Sequence, residues 1–494
     1  MGRGTKFPYL RQDFAASIVV FLVALPLCVG VAVASGVPAE LGLITGIVGG
    51  LVTGVMRGSS LQVSGPAAGL TVLVFEAVQS FGPAALGVIV LATGLLQLAM
   101  GAMRLGRWFR AISVSVVEGM LAGIGLVLIA GQLYAAAGVE APRTGTGKIA
   151  GIPGMLTEAA SSTPALTSLA MGAGTIALVV AWNRTPKRVR AVPGALAAVV
   201  LATLLTLVFG LPVATVRVQG LLDAVQVPGF GDIGGAAVLA LLGTVAAFTL
   251  IASAESLFSA AAVDRLHDGP RTRYDKELMA QGTGNTVCGL LGALPMTAVI
   301  VRSSANVRAG ARTRASRVLH GVWLLLFAAL LPSALGLIPL PALAGILIHA
   351  GWKLIPLRAI VTLWREHRGE ALILVVTAVA IVAVNMFEGV LTGLALSVAK
   401  AAWDASHIKL EVVDSSGGCV RARLSGNATF LRLPKILDSL EALPDDRPIS
   451  LDLSGLTHLD HACRTALENW AERHSASGTE PVRLTRTDAV TAAP

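Results

Sequence analysis

Long apolar segments separated by short polar or basic stretches recur through most of this chain, from residues 14–34 to residues 372–402. In lipid a spanning segment must satisfy its backbone N–H and C=O groups internally, so segments of this kind form helices. Charged residues make up 14% of the 494 residues and hydrophobic residues 54%, whereas soluble domains average about 25% charged residues. The sequence therefore predicts a polytopic α-helical membrane protein in contact with membrane lipid.

The lengths of the apolar runs suit about fourteen transmembrane segments. The predicted segments of the first half are 14–34, 41–56, 66–78, 84–103, 114–136, 165–182 and 193–209. Those of the second half are 237–263, 276–293, 298–312, 318–331, 337–354, 357–364 and 372–402. Residues 138–163 and 212–233 are predicted as longer loops.

Basic residues cluster between these segments. The clusters hold Arg3, Lys6 and Arg11; Arg104, Arg107 and Arg110; Arg184, Lys187, Arg188 and Arg190; Arg265, Arg271 and Arg273; and the run from Arg308 to Arg317. Cytoplasmic loops carry the excess of Lys and Arg, so both termini are predicted to be cytoplasmic, with the protein in the cytoplasmic (inner) membrane. The net charge of +9 then reflects topology, and no nucleic-acid partner is predicted.

One acidic residue, Glu255, lies inside an apolar segment that reads FTLIASAESLFSAAA. An ionisable side chain at membrane depth costs about 2.5–3.5 kcal/mol on insertion scales, and it usually faces a cavity, an ion or a partner. Two breaks accompany it, Ser64-Gly65-Pro66 and Pro295-Met296-Thr297, at the third segment of each half, and Pro66 suits a first helical turn. Broken segments at matching places in two halves indicate a transporter site between inverted repeats.

The chain changes character after residue 402. Short alternating apolar stretches and two amphipathic stretches follow, which predicts a small cytoplasmic α/β domain over 403–494. The four cysteines, Cys28, Cys288, Cys419 and Cys463, are scattered, so neither a disulfide framework nor a metal site is predicted. No set of nucleophile, base and metal ligands occurs in the apolar segments, and an enzyme is not predicted.

Three stretches resemble the sulfate permease (SulP) family of anion transporters: DFAASIVVFLVALPLCVGVAVASGVP, LQVSGPAAGLTVLV and GLLGALPMTAVIVRSSANVRAGARTRAS. The C-terminal region resembles the STAS domain that usually follows. The resemblance covers nearly the whole chain. It implies a fold of seven plus seven inverted segments with core and gate domains, an elevator-type movement of the core, a homodimer, and an unknown cytoplasmic partner of the STAS domain.

The resemblance also implies a substrate site between the facing starts of two half-helices, near 66–78 and 298–312. The residues it assigns to substrate binding are Phe21, Ala24, Ser64, Gly65, Pro66, Ala67, Ala68, Ala298, Val299, Ile300 and Arg302, with Leu25 beside the cavity. Two helix N-termini aimed at one spot bind an anion without a buried cation. Small side chains there let the anion approach the backbone.

Glu255 stands where related bicarbonate and dicarboxylate carriers have an acidic residue that couples transport to a cation, and Ser259 shares its helical face. No organic cofactor is expected, and the coupling ion would be H⁺ or Na⁺. Val299 and Ile300 offer no side-chain oxygen, which favours H⁺. The alternative for Glu255 is a structural carboxylate paired with a neighbouring helix. The run Arg308 to Arg317 is interpreted as a topology anchor and a dimer or STAS contact, not as a substrate site.

The predicted function is secondary active symport of a small inorganic anion of the sulfate or bicarbonate class. Four alternatives stay open at this point: an uncoupled anion channel or exchanger, a dicarboxylate carrier, a nucleobase or borate carrier on the same fold, and a signalling protein dominated by its STAS domain. A nucleobase site needs polar or aromatic side chains around a ring, which the small apolar half-helix openings do not provide. A channel would conduct independently of Glu255.

Overall fold

The computed structural model describes residues 9–111, 113–182, 184–186, 192–229, 235–414, 419–444, 447–477 and 482–485. The basic residues Arg3, Lys6, Lys187, Arg188 and Arg190 of the predicted topology lie outside these ranges. The chain divides into a larger unit, Met1–Leu394, and a smaller unit, Ala395–Pro494. The domain boundary placed at residue 402 from the sequence stays a prediction.

The larger unit is almost entirely helical. Its helices before residue 230 are α1 (Leu10–Ala34), α2 (Ala39–Leu51), α3 (Thr71–Phe81), α4 (Pro83–Ala102), α5 (Val114–Ala137), α6 (Gly145–Ala150), α7 (Ile152–Ala160), α8 (Thr163–Trp182) and α9 (Gly194–Phe209). The later ones are α10 (Gly235–Val263), α11 (Tyr274–Leu290), α12 (Ile300–Arg308), α13 (Ala315–Leu330), α14 (Pro332–Leu335), α15 (Leu340–Leu354), α16 (Leu357–Glu366), α17 (Arg368–Ala383) and α18 (Met386–Ala405). Two three-residue strands interrupt them, β1 (Ser64–Pro66) and β2 (Met296–Ala298).

Six helical stretches in the described ranges are long and apolar enough to cross a membrane: Leu10–Ala34, Pro83–Ala102, Val114–Ala137, Thr163–Trp182, Val238–Val263 and Leu340–Glu366. Four shorter apolar helices, Ala39–Val55, Ala68–Phe81, Gly194–Phe209 and Ala315–Leu330, accompany them. The mostly helical membrane architecture is therefore confirmed. The count of about fourteen spans and their inverted symmetry stay predictions.

Two predicted stretches differ from the structure. Residues 138–163, predicted as a loop, contain α6 and α7, and α6 begins where the Thr144 hydroxyl accepts a hydrogen bond from the Gly147 N–H at 3.1 Å. Residues 372–402, predicted as one helix, form α17 and α18. The break falls at Val384, and the Asn385 side chain caps α18 by accepting from the Glu388 N–H at 2.9 Å. Side-chain capping of free N–H groups explains both helix starts.

Glycines let the helices around β1 and β2 pack backbone to backbone. A Cβ on Gly94 of α4 would lie 2.3 Å from the Thr286 N atom of α11, and a Cβ on Gly50 of α2 would lie 2.4 Å from the Gly321 Cα atom of α13. Small residues at such crossings are what membrane helices use to approach closely. The helices α2, α4, α11 and α13 therefore hold the region of the two strands rigidly.

The smaller unit has its own sheet and core. Its strands are β3 (Ile408–Asp414), β4 (Val420–Ala428), β5 (Ile449–Leu459) and β6 (Arg483–Thr485), with helices α19 (Leu433–Glu441) and α20 (His461–Ser477). The sheet order is β3-β4-β5-β6, with β3 antiparallel to β4 and the other pairs parallel. Buried side chains of β4 and β5 alternate with exposed ones and pack with Ile436, Leu440, Leu467 and Trp470 of the helices. A small α/β unit follows the helical one, in line with the sequence pattern.

Candidate functional site

The two short strands pair with each other in the interior of the larger unit. They are antiparallel, with Ser64 opposite Ala298, Gly65 opposite Thr297 and Pro66 opposite Met296. The helix α12 starts directly after β2, and a 3₁₀ turn (Ala68–Leu70) leads from β1 into α3. Pairing the strands therefore brings two helix starts that are far apart in the sequence to one place.

Pro66 is the last residue of β1, not part of a first helical turn as its position in the sequence suggested. Its carbonyl oxygen accepts a hydrogen bond from Arg302 Nη2 at 3.3 Å. Proline lacks the N–H that a longer strand ladder requires and is confined to strand ends and edges. The two half-helices accordingly begin later than residues 66 and 298.

Buried polar side chains hold this crossing in place. The Ser303 hydroxyl accepts from the Val63 N–H at 2.9 Å and donates to the Val299 carbonyl at 2.8 Å. Asn285 binds both the N–H and the carbonyl of Met296, at 2.7 and 3.1 Å. Ser256 of α10 accepts from the Ala298 N–H at 3.2 Å. Each strand is thus fixed to helices around it by bonds whose loss would leave buried groups unsatisfied.

A cavity of about 530 Å³ lies against the helix starts. One wall consists of Pro66, Ala67, Ala68 and Gly69; Glu255, Phe258 and Ser259; and Val299, Ile300, Val301 and Arg302. The other wall comes mainly from α5, with Val117, Glu118, Met120 and Leu121, and from α15 and its end, with Ala350, Lys353, Leu354 and Pro356. We call this the central cavity. Its volume lies in the usual range for small-molecule sites.

The backbone N–H groups at the two helix starts have no preceding helical turn to bind to. They belong to Ala68 and Gly69 on one side and to Ile300, Val301 and Arg302 on the other, all at the cavity. Such free N–H groups, together with the positive ends of two helix dipoles, form an anion-binding environment. The side chains beside them are small or apolar, so this environment is supplied mainly by backbone.

Glu255 reaches the same place from α10. A Cβ built on Gly69 would stand 2.7 Å from Glu255 Oε1 and 2.9 Å from Oε2, so the carboxylate lies directly against the backbone of Gly69. The Thr297 side chain lies next to the carboxyl group, and its hydroxyl donates to the Ala298 carbonyl at 3.4 Å. Among the described residues, Oε2 is buried without a hydrogen-bond partner. A carboxylate held this way is able to receive a proton or a cation.

Arg302 lies behind β1 with 0% of its surface exposed. A Cβ built on Gly65 would lie 2.1 Å from Arg302 Nη1, so the guanidinium packs against the strand where Gly65 has no side chain. Together with its bond to the Pro66 carbonyl, this position puts a fixed positive charge beside the helix starts. Arg302 is the one arginine among the residues that line the central cavity in the described part of the chain.

The structure brings together eight of the residues proposed from the sequence. Pro66, Ala67, Ala68, Glu255, Ser259, Val299, Ile300 and Arg302 line the central cavity. The other five, and Leu25, lie outside its lining. Ser64, Gly65 and Ala298 form the strand pair, and Ala24 is buried in α1. Phe21 packs against the ring of Phe327, with centroids 6.0 Å apart. From α1 the cavity is lined by Leu27 and Val31.

Gly69 and Thr297 contact the acidic group and were missed from the sequence. A glycine shortly after a Ser-Gly-Pro break and a threonine after Pro295 carry no signal by themselves, because only the fold brings them to Glu255. Arg317, the last residue of the basic run that begins at Arg308, has a structural role that the sequence did not indicate. It is buried, and its guanidinium donates to four backbone carbonyls, those of Thr53, Gly54, Met56 and Gln62, at 2.8–3.3 Å.

Comparison with known proteins agrees with this geometry. The model of the sulfate permease family matches residues 10–377. A putative sulfate transporter, YvdB, of Bacillus subtilis is 27% identical over 80% of this chain and 74% of its own length. The bicarbonate transporter BicA of a Picosynechococcus species is 28% identical over 71% of this chain and 62% of its own length.

Solved structures share the fold. The transmembrane domain of a cyanobacterial bicarbonate transporter BicA aligns with a TM-score of 0.68 at 23% identity, covering 80% of this chain and 98% of that chain. Murine Slc26a9, an anion transporter captured in its inward-facing state, aligns with a TM-score of 0.79 at 14% identity over 97% of this chain and 86% of that chain.

Proposed function

This chain belongs to the sulfate permease family, and from that premise we propose that it carries a small inorganic anion across the membrane by way of the central cavity. Its relatives include sulfate and bicarbonate transporters, and they are not enzymes. The observation that carries the proposal is the strand pairing of Ser64–Pro66 with Met296–Ala298, which sets two helix starts beside one cavity. Sulfate or bicarbonate is the proposed substrate.

The anion is held mainly by backbone. Its oxygens accept hydrogen bonds from the free N–H groups at Ala68, Gly69, Ile300 and Val301, and the two helix dipoles favour its charge. The small side chain of Ala68 leaves room for it to approach. The guanidinium of Arg302, packed behind β1, adds a positive charge without leaving the protein interior. Arg302 thus attracts the anion from behind β1, and the position of β1 depends on its pairing with β2.

Transport is coupled to a cation at Glu255. An ionised Glu255 and an anion in the same low-dielectric cavity repel each other, whereas a protonated or Na⁺-bound Glu255 does not. Binding of a cation to the Glu255 carboxylate therefore favours binding of the anion in the cavity. Ser259 lines the cavity four residues on, and the Thr297 side chain lies next to the carboxyl group. These hydroxyls are compatible with either ion, and the scarcity of further oxygen ligands favours H⁺.

An elevator-type movement fits the arrangement of the walls. The half-helix starts and Glu255 lie on helices that are joined through the strand pair, whereas the facing wall belongs to α5 and α15. These two helices pack on each other, as shown by Gly125, whose Cβ would lie 2.6 Å from the Gly351 carbonyl oxygen. If the helices that carry the half-helix starts and Glu255 slid along α5 and α15, they would carry the bound anion across the membrane with its binding site intact.

The remaining features of the proposal follow the family resemblance. The protein would form a homodimer in the cytoplasmic membrane with both termini in the cytoplasm. The smaller unit would be a STAS domain that binds a cytoplasmic partner. Its sheet of four strands with two helices, following directly on the transporter unit, supports that assignment.

Uptake into proteoliposomes tests this function. Purified protein is reconstituted, and the entry of labelled sulfate, bicarbonate and a dicarboxylate is followed under imposed H⁺ or Na⁺ gradients. The proposal expects uptake of an inorganic anion that follows one cation gradient. Flux that depends only on the anion gradient would replace it with the channel or exchanger interpretation, and uptake of the dicarboxylate alone would change the substrate class.

A further inference from the structure

A second cavity, of about 370 Å³, lies along the same helices as the central cavity. On α5 the central cavity is lined by residues within Val117–Leu121 and the second cavity by residues within Leu128–Ala135. On α15 the corresponding stretches are Ala350–Leu354 and Leu340–Ala344. Ten residues of helix span about 15 Å. The two cavities are therefore stacked along the helix axes, the direction in which an anion would cross the membrane.

An apolar layer separates the two cavities. On α5 it is formed by Ile124. Leu121, Ile124 and Leu128 are three and four residues apart and so lie on one face of the helix, with Leu121 at the central cavity and Leu128 at the second one. On α15, Leu347 takes the same place between the two lining stretches. Ile124 and Leu347 are each 1% exposed, and the Leu347 side chain packs against Gly30 of α1. Apolar side chains of α5 and α15 thus lie between the two cavities in this conformation.

Lys148 of α6 provides a positive charge in the second cavity. The residue lines the cavity although only 6% of its surface is exposed, and its Nζ atom lies 5.4 Å from the centroid of the Phe75 ring. Its backbone is fixed, because the Tyr134 hydroxyl donates to the Lys148 carbonyl at 2.8 Å. Burying a lysine ammonium group is costly unless it is paired, so an anion that enters this cavity would find a partner in Lys148.

Two neutral hydrogen-bonding groups line the same cavity. Thr71, at the start of α3, is 3% exposed, and its hydroxyl has no hydrogen-bond partner among the described residues. Gln132 of α5 is buried as well. Glu76, the residue after Phe75, interacts electrostatically with Lys148 but does not line the cavity. An ammonium, a hydroxyl and an amide in one small cavity are a donor set for an oxyanion.

We propose that the second cavity is a further anion subsite, in which Lys148 is the charged ligand of the transported oxyanion and Thr71 and Gln132 donate hydrogen bonds to it. This inference rests on the proposed anion transport. The start of α3 serves both cavities, since Ala68 and Gly69 line the central one and Thr71 the second one. An anion that leaves the helix starts and passes the apolar layer therefore meets Lys148 next.

The test measures the electrostatic field at Thr71 without requiring transport. The variant Thr71→Cys, in a background whose native cysteines are replaced, is placed in nanodiscs and treated with a negatively charged or a positively charged methanethiosulfonate reagent. With Lys148 present, we expect the anionic reagent to react faster, and adding sulfate or bicarbonate to slow it. Introducing Lys148→Gln as a second substitution should lower the ratio of the reaction rates of the anionic and cationic reagents about tenfold, and it should remove the protection by sulfate or bicarbonate.

Two further variants make the result specific. Lys148→Arg keeps the charge and should keep the ratio and the protection. Lys409→Gln removes an equal charge from an exposed position of the smaller unit and should change neither. An unchanged ratio in Lys148→Gln, or a cysteine that neither reagent reaches in any variant, overturns the subsite. Absence of uptake by the unmodified protein would instead overturn the proposed function, because the labelling rates do not depend on it.

Discussion

The backbone of Gly69 lies directly against the carboxylate of Glu255, so that a Cβ at position 69 would stand 2.7 Å from Oε1 and 2.9 Å from Oε2. Gly69 belongs to the turn that leads into α3, and Glu255 belongs to α10. The start of a half-helix and the acidic group of the site therefore occupy adjoining space. Whatever binds to one of them changes the environment of the other, which is the physical basis for coupling an anion to a cation.

Gly69→Ala should abolish coupled uptake. The added methyl group would overlap the carboxylate, since real Cβ atoms do not approach oxygen at 2.7 Å, and Glu255 would be displaced from Thr297 and the helix starts. We expect uptake in proteoliposomes to fall by a factor of about ten or more. Gly174→Ala is the control, because a Cβ there meets nothing within 4 Å. Equal uptake by the two variants would show that the contact is dispensable.

Glu255→Gln should abolish uptake driven by a cation gradient while the protein still folds. The amide has nearly the shape of the carboxylic acid but neither binds a proton nor attracts Na⁺. The measurement is uptake with and without the gradient, together with elution of the purified variant on size exclusion. Glu118→Gln removes a carboxylate from the facing wall of the same cavity and should keep gradient dependence. Normal gradient-driven uptake by Glu255→Gln would leave Glu255 a structural role only.

Arg317→Met should destabilise the larger unit. The substitution leaves the carbonyls of Thr53, Gly54, Met56 and Gln62 without the guanidinium that binds them. Losing a buried partner costs about 1–3 kcal/mol for each unsatisfied group. We expect a clearly lower apparent Tm in detergent. Arg308→Met, at an exposed position, is the matched control. The same Tm for both variants would contradict a structural role for Arg317.

Asp460 should stabilise the start of α20 in a manner that depends on pH. Its carboxylate accepts hydrogen bonds from the N–H groups of Phe430 and Cys463, at 2.5 and 2.7 Å. Burial raises the pKa of Asp460, but these bonds outweigh burial and hold the pKa below its usual value of 3.8. The stabilisation of the folded state by Asp460 is therefore present above about pH 3.8, and it is lost as the pH falls through the lower pKa that Asp460 has in the folded state.

Hydrogen exchange of the α20 amides in the full-length protein measures this contribution. Asp460→Asn should reduce their protection at neutral pH by an amount that disappears in acid. Asp438→Asn, an exposed change on α19, corrects for the intrinsic effect of pH on exchange. A deficit in Asp460→Asn that stays constant down to about pH 2 would argue against the carboxylate as its source.

Much of the membrane architecture followed from local pattern. Helix positions such as α4, α5 and α9 were located within a residue or two, because each apolar run carries its own length and its own end signals. The short helices α6 and α7 were missed because they have only six and nine residues and contain Gly and Pro, which weaken a helix signal in the sequence. The division between α17 and α18 was missed because Val384 and Asn385 do not interrupt the apolar composition.

The sequence by itself determined that the chain is a membrane protein, that Glu255 lies within an apolar segment, and that two segments break at matching places, since composition and chain breaks are local properties. Only the tertiary structure decided that β1 pairs with β2, that Gly69 contacts Glu255, and that Lys148 and Arg317 are buried. Helices that are apolar on every side do not specify which face meets which neighbour. The contacts that make the site therefore arise from packing between residues that are far apart along the chain.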